Sequence, residues 1–301
     1  VTLHAWSSAH YVIPLPAGHR FPIAKYARVR DALLEAGVVT AATLHDPGRA
    51  TPEQLVRVHT SAYVRALADG TLAADAVRRL GFPWSAALVE RSLRAVGGTV
   101  AAARHALRDG VAMNLAGGTH HAFADRGEGF CVFNDVAVAI ADLRARGDAR
   151  RAIVVDLDVH QGNGTHALFA GDPRVYTFSM HGARNYPFTK VPGSLDVPLH
   201  DGTGDAAYLA LLADLLPRAI REARADVAFY LAGSDPLRGD RFGRLALTLD
   251  GLRRRDAMVL DTCRAIGLPV VITMAGGYAP DLDDTVRAHV ATAEVARAFV
   301  A

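Results

Sequence analysis

Cysteine and lysine are both scarce in this chain of 301 residues, and neither sign of charge is in excess. The 2 cysteines, Cys131 and Cys263, cannot build a disulfide framework, and no CxxC pair is present. A reducing setting follows, and the expected location is the cytoplasm. The 33 basic residues are arginine except for Lys25 and Lys190, a bias read as compositional rather than functional. The formal net charge of +2 gives no global electrostatic reason to expect a nucleic-acid partner. No apolar run approaches the roughly 18 residues that cross a bilayer. Val1 to Ala17 lacks the basic-then-apolar pattern of a signal peptide, so no membrane partner is expected. No low-complexity linker, repeat or charge block divides the chain. One domain over residues 1–301 is therefore expected, with the oligomeric state left open.

What the chain does have is apolar material, 50% of its residues, arranged in alternating patterns. Continuous apolar runs at Val111–Leu115, Ala152–Leu157, Val175–Phe178, Val227–Leu231 and Pro269–Met274 predict buried strands. Helical periodicity falls at Ala86–Leu107, Val132–Arg146, Asp205–Glu222, Thr248–Ala265 and Asp281–Phe299. Apolar strands alternating with helices predict an α/β fold, a three-layer α/β/α domain with a mainly parallel central sheet.

Small glycines and reactive residues follow each of four predicted strands. Gly117-Gly118-Thr119-His120-His121 follows the first, and Asp156-Leu157-Asp158-Val159-His160 closes the second. Gly233-Ser234-Asp235 and Gly276-Gly277-Tyr278 follow two more. Ligands of open α/β sheets bind at the carboxyl ends of the strands, so these segments point to one site.

Asp158 and His160 share strand parity, and Asp235 from another strand can complete a three-ligand set. Two carboxylates and one imidazole suit catalytic Zn²⁺, although the ligand types also suit Fe²⁺. Alone, DxDxH more often marks turn caps and a solvated loop histidine; the other strand ends tip the reading toward a metal. His120 and His121 could serve as electrostatic partner and general base. Each needs an acceptor on its other ring nitrogen, for which Asp156 and Asn163 are candidates. Tyr278 could donate its hydroxyl to an oxyanion.

GGTHH, GFCVFND, DLDVHQGNG, GSD and GGY, in this order, resemble the histone deacetylase superfamily, from His19–Tyr26 (HRFPIAKY) to the last helix. The HQGNG form, the GTHH histidines and GDRFGRLALT (Gly239 to Thr248) look closest to class IV and its bacterial relatives. The resemblance implies an arginase/deacetylase-like fold and metal-assisted amide hydrolysis. It implies zinc on Asp158, His160 and Asp235, proton transfer by His121, electrostatic support from His120 with Asp156, and transition-state stabilisation by Tyr278. Asn163 stands where many relatives carry aspartate. A structural K⁺ is implied on Asp156 and Ser179. Gly129 and Phe130 match one wall of an acyl-lysine tunnel, Tyr186 and Phe188 fall where the opposite wall would form, and Phe242 falls where polyamine-specific relatives carry a carboxylate.

The expected substrate is an acylated lysine in a protein or peptide, with a small acylated amine such as an acetylpolyamine as the alternative. Asp240 and Asp125 are acids that could turn toward the mouth and favour that alternative. A ureohydrolase would need further ligands for a second metal. Loss of Tyr278 or a metal ligand would favour a binding module without activity, but all the matched positions are filled.

Overall fold

In a computed structural model, which describes residues 2–300, the chain forms a single eight-stranded sheet with every ladder parallel. The strands are β1 (His4–Trp6), β2 (Leu44–His45), β3 (Val111–Asn114), β4 (Ala152–Asp156), β5 (Val175–Gly182), β6 (Leu195–Leu199), β7 (Val227–Leu231) and β8 (Val270–Thr273). The helices are α1 (Lys25–Glu35), α2 (Pro52–Leu55), α3 (Ser61–Asp69), α4 (Ala74–Leu80), α5 (Ala86–Asp109), α6 (Asp135–Arg146), α7 (Asn163–Phe169), α8 (Asp205–Ala223), α9 (Leu249–Arg264) and α10 (Leu282–Phe299). Val1 and Ala301, the ends of the expected domain, lie outside the described residues.

The strand order is β2-β1-β3-β8-β7-β4-β5-β6. In β3, β4, β7 and β8 every residue is buried, as expected of strands covered on both faces. Helices α5 and α6 pack together, with α2, α3 and α7 beside them; α8, α9, α10 and α1 form a second packed series. This is the predicted α/β/α architecture, with a wholly parallel sheet.

Local chemistry sets the helix ends. Ser85 accepts from the Leu88 N–H and starts α5, and Thr248 accepts from the Gly251 N–H and starts α9. The helix predicted from Val132 begins at Asp135 instead. Asn134 takes an extended conformation and caps the Ala137 N–H, so Val132 and Phe133 pack as buried loop residues. The strand predicted to end at Phe178 continues to Gly182, paired with β6.

The topology explains why the motifs meet. β3, β8, β7 and β4 are consecutive in the sheet, and they are the four strands whose ends carry GGTHH, GGY, GSD and DLDVH. Parallel pairing places all four carboxyl ends on one edge.

Candidate metal and catalytic site

Two segments leave the sheet edge under tight hydrogen-bond control. Asp135, the first residue of α6, accepts from the Gly118 and Thr119 N–H groups at 3.1 and 2.7 Å and from the hydroxyls of Thr119 and Thr99. It thereby fixes the turn that presents His120 and His121. Arg255 of α9 is fully buried and paired with Asp256. It donates to the carbonyls of Gly233 and Leu157, next to the strand ends that carry Asp235 and Asp158. Breaking such a buried pair typically costs about 3–5 kcal/mol.

Asp158, His160 and Asp235 converge, with one ligand-type atom from each lying within 4.8 Å of the others. His160 Nδ1 lies 2.9 Å from Asp158 Oδ1 and 3.3 Å from Asp235 Oδ2. Asp235 Oδ1 accepts from the Val159 N–H, and Asp158 Oδ2 from the Gly276 N–H. Asp235 Oδ2 is buried and has no hydrogen-bond partner. Burial pushes the Asp235 carboxyl up, and the Asp158 charge adds to this. Burial also opposes charge on His160, yet its hydrogen bond to Asp158 and the nearby charge of Asp235 hold the imidazolium up to about 10. Two buried carboxylates facing one imidazole make a cluster that favours a cation. A divalent ion fits this donor set. The space is kept by Gly276: a Cβ there would stand 2.0 Å from Asp235 Oδ2 and 2.6 Å from Asp158 Oδ2. Among the described residues this is the one group of three such side chains that converges.

The tandem histidines sit in opposite environments. His120 Nδ1 donates to Asp156 Oδ2 at 2.6 Å. Burial opposes its charge, but Asp156 and Asp158 hold it up to about 9. His121 Nδ1 donates to the Asn163 amide oxygen at 2.7 Å. Burial, then the charges of His120 and His160, hold His121 well below the ordinary imidazole value. The two rings thus meet opposite surroundings, carboxylates beside His120 and an amide and two imidazoles beside His121.

A cavity of about 730 Å³ opens over these groups. Gly129, Phe130, Tyr186, Phe188, Phe242 and Tyr278 all line it. Gly129 and Phe130 are held at φ of +57° and +66° by N–H bonds to the Arg79 and Leu80 carbonyls. Phe130 packs 5.4 Å from Phe21 and 6.1 Å from Tyr278, ring to ring. Tyr186 meets His121 edge-on at 4.9 Å, and Phe242 meets Tyr278 at 5.0 Å. Phe188 is 88% exposed and forms the lip rather than the wall. Burial pushes the Tyr278 hydroxyl well up, and Asp158 and Asp235 add to this, so it remains a donor.

The family profile described as "Histone deacetylase domain" matches residues 19–293. This chain belongs to the histone deacetylase family. It is 47% identical to an uncharacterized protein of Picosynechococcus sp. over 93% of each chain. It is 33% identical to histone deacetylase 2 of Arabidopsis thaliana over 86% of this chain and 70% of that protein. A solved HDAC homolog complexed with SAHA superposes with a TM-score of 0.85 at 26% identity, covering 98% of this chain and 84% of that one.

Within this histone deacetylase domain, the residues singled out at the four strand ends come together around one cavity, the two acids expected at the mouth do not line it, and three neighbours of the site escaped notice. Lys25, fully buried, donates to the carbonyls of Ala275 and Gly277 and lies 5.2 Å over the Tyr278 ring. Its being one of two lysines was the available signal. Asp135 had only its place at the end of GFCVFND. Glu128 carried no pattern at all; it accepts from the Asn163 side chain and from the Tyr186 hydroxyl, each at 2.8 Å. Asp240, expected as a mouth acid, is instead buried and accepts from the backbone N–H groups of Tyr278, Phe242 and Gly243. Asp125 pairs with Arg126 and does not line the cavity. Asp156 and Ser179 are Cα partners in the β4–β5 ladder, and the Ser179 hydroxyl bonds His181 Nδ1.

Proposed function

We propose that this chain is a zinc-dependent deacylase that removes acetyl or longer acyl groups from lysine side chains. The observation that carries the reading is the buried Asp235 Oδ2, without a hydrogen-bond partner, grouped with Asp158 and His160 at the floor of an aromatic-walled cavity that His121 also lines. Asp158, His160 and Asp235 would hold the ion, which when bound polarises a carbonyl and acidifies water. His121 takes a proton from the attacking water and delivers it to the leaving amine. His120, kept charged by Asp156, supports the negative charge that develops beside it. Tyr278 donates to the tetrahedral oxyanion. Asp240 and Lys25 hold the tyrosine loop through its backbone, and Asp156 and Ser179 are the residues we assign to a structural K⁺. The Gln161 and Asn163 form of the loop keeps the class IV likeness within this reading.

A peptide-borne acyl-lysine is favoured over a polyamine by the charge of the mouth. Arg20, Arg79, Arg184, Arg241 and Arg244 line it, and the only acid in the lining is Asp158 on the floor. A polyamine chain would bring its ammonium groups against arginines, with no carboxylate to compensate for desolvation. An assay of purified protein against acetyl-lysine and longer acyl-lysine peptides and acetylated putrescine and spermidine, with zinc or Fe²⁺ loaded in parallel, tests metal and substrate together. Peptide turnover with zinc is expected. Polyamine preference would overturn the substrate assignment, and turnover without any metal would overturn the mechanism.

A further inference from the structure

An asparagine side chain has two ends of nearly equal shape and opposite character, an accepting oxygen and a donating NH2. Which end Asn163 turns to His121 decides the imidazole's tautomer. With the oxygen toward it, His121 Nδ1 keeps its proton and Nε2 keeps the lone pair. With the NH2 toward it, Nδ1 would have to accept, the proton would move to Nε2, and the ring could no longer take one there. The other end of the amide faces Glu128, whose Oε1 lies 2.8 Å from Asn163 Nδ2. A carboxylate accepts and does not donate, so this contact admits only one orientation of the amide. Glu128 is itself held: it is buried, the Tyr186 hydroxyl donates to the same Oε1 at 2.8 Å, and Arg126 Nε lies 3.5 Å from Oε2.

We propose that Glu128 is a positioning residue: by orienting the Asn163 amide it fixes the tautomer of His121. The consequence for rate rests on His121 being the proton-transfer group proposed above; the consequence for the tautomer does not. The arrangement also predicts an exchange. An aspartate at position 163 accepts through either oxygen and needs no orienting partner. Beside Glu128, however, it would set two buried carboxylates at hydrogen-bond distance, which is unfavourable. Glu128 with Asn163, and a neutral residue at 128 with aspartate at 163, are therefore equivalent solutions, and the mixed pairs are defective.

The test is a double-mutant cycle with E128A, N163D and E128A/N163D in the full chain loaded with zinc. Each single variant is expected to lower kcat by about ten-fold, the scale of a lost hydrogen bond to a charged group. KM and metal content should be unchanged, and the double variant should recover most of the loss. Histidine-selective ¹⁵N NMR, with the His121 signals found by their loss in H121A, reads the tautomer without turnover. One Nδ1–H form is expected in the wild type and the double variant, and a mixture in E128A. Should E128A not fold, E128M in a Y186F background removes the acceptor at similar volume, with Y186F as reference. A single Nδ1–H tautomer in E128A, or losses that multiply in the double variant, would overturn the proposal. An active H121A would sink the catalytic reading of His121 and leave the tautomer result to stand or fall separately.

Discussion

The floor and the mouth of the cavity are built from different materials. At the floor, Asp158 and Asp235 are 1% and 0% exposed, and backbone N–H groups from other strand ends hold both carboxylates. At the mouth, Phe188 is 88% exposed and the Arg184 side chain 79% exposed, both on the loop after β5. Groups on strand ends are held to the precision that bond making requires, while groups on loops can change without disturbing the sheet. Under the proposed function, the contrast divides chemistry at the floor from choice of substrate at the mouth. Floor substitutions should then act on metal and kcat, and mouth substitutions on KM and on the ranking of substrates.

The largest effect is expected from D235A, which removes a ligand and leaves Asp158 and His160 as an incomplete pair. Metal content by mass spectrometry should fall with activity to background, while the circular dichroism stays that of the folded chain. A metal-replete, active variant would end the assignment of Asp235. H121A comes next: metal should remain and kcat should fall by about 10²–10⁴-fold, the usual worth of a general acid–base. A larger loss in H120A than in H121A would reverse the roles within the pair. Y278F should cost about 10²–10³-fold in kcat with metal retained, the usual worth of one oxyanion donor. Full turnover in that variant would reduce Tyr278 to packing, and the floor would end below it.

The same division separates what could be read in the sequence from what could not. β3, β4, β7 and β8 announce themselves as fully buried apolar runs, and each ends in the motif that builds the floor. β1 and β2 are short, with 3 and 2 residues, and β6 (Leu195–Leu199) is partly exposed and carries Asp196 and Pro198, so no continuous apolar run marks them. The helices α1 to α4 and α7 also escaped, the last because it starts from Gly162 without a side-chain cap. Glu128 was invisible for a different reason. Its role depends on which end of an amide faces a histidine 7 positions before it in the chain, a relation that only the folded contacts display. The burial of Asp240 was likewise hidden: in sequence it is an acid beside an arginine, and in the fold it is the acceptor for the Tyr278 backbone.

At the mouth, F242E should sharpen the contrast. It places a carboxylate beside Tyr278, where a second cationic group of an acetylpolyamine could be read. The ratio of kcat/KM for acetylspermidine to that for an acetyl-lysine peptide should rise about three- to five-fold, the effect being reduced by solvent at a half-buried position. A fall in kcat for both substrates alike would instead make Phe242 part of the floor through its contact with Tyr278.

The smallest expected effect belongs to the arginines. Arg79 pairs with Asp75 at 3.2 Å, and Arg244 and Arg184 share Asp201 at 3.2 and 3.8 Å. Arg20 and Arg241 pair with no carboxylate among the described residues, so their charge is the part of the rim left for a ligand. Both are exposed, and water and salt screen what they contribute over a Debye length of about 10 Å at 0.1 M. R20Q/R241Q should therefore raise KM for an acyl-lysine peptide with acidic flanking residues by about two- to five-fold at low salt, the range of weak exposed charge pairs. It should leave kcat unchanged and barely affect a neutral peptide, and the difference between the peptides should vanish at high salt. If the acidic peptide holds no advantage over the neutral one in the wild type, the rim is a solvated surface without a role in choice. If kcat moves instead of KM, the mouth reaches the chemistry, and the separation between floor and mouth fails at its weakest point.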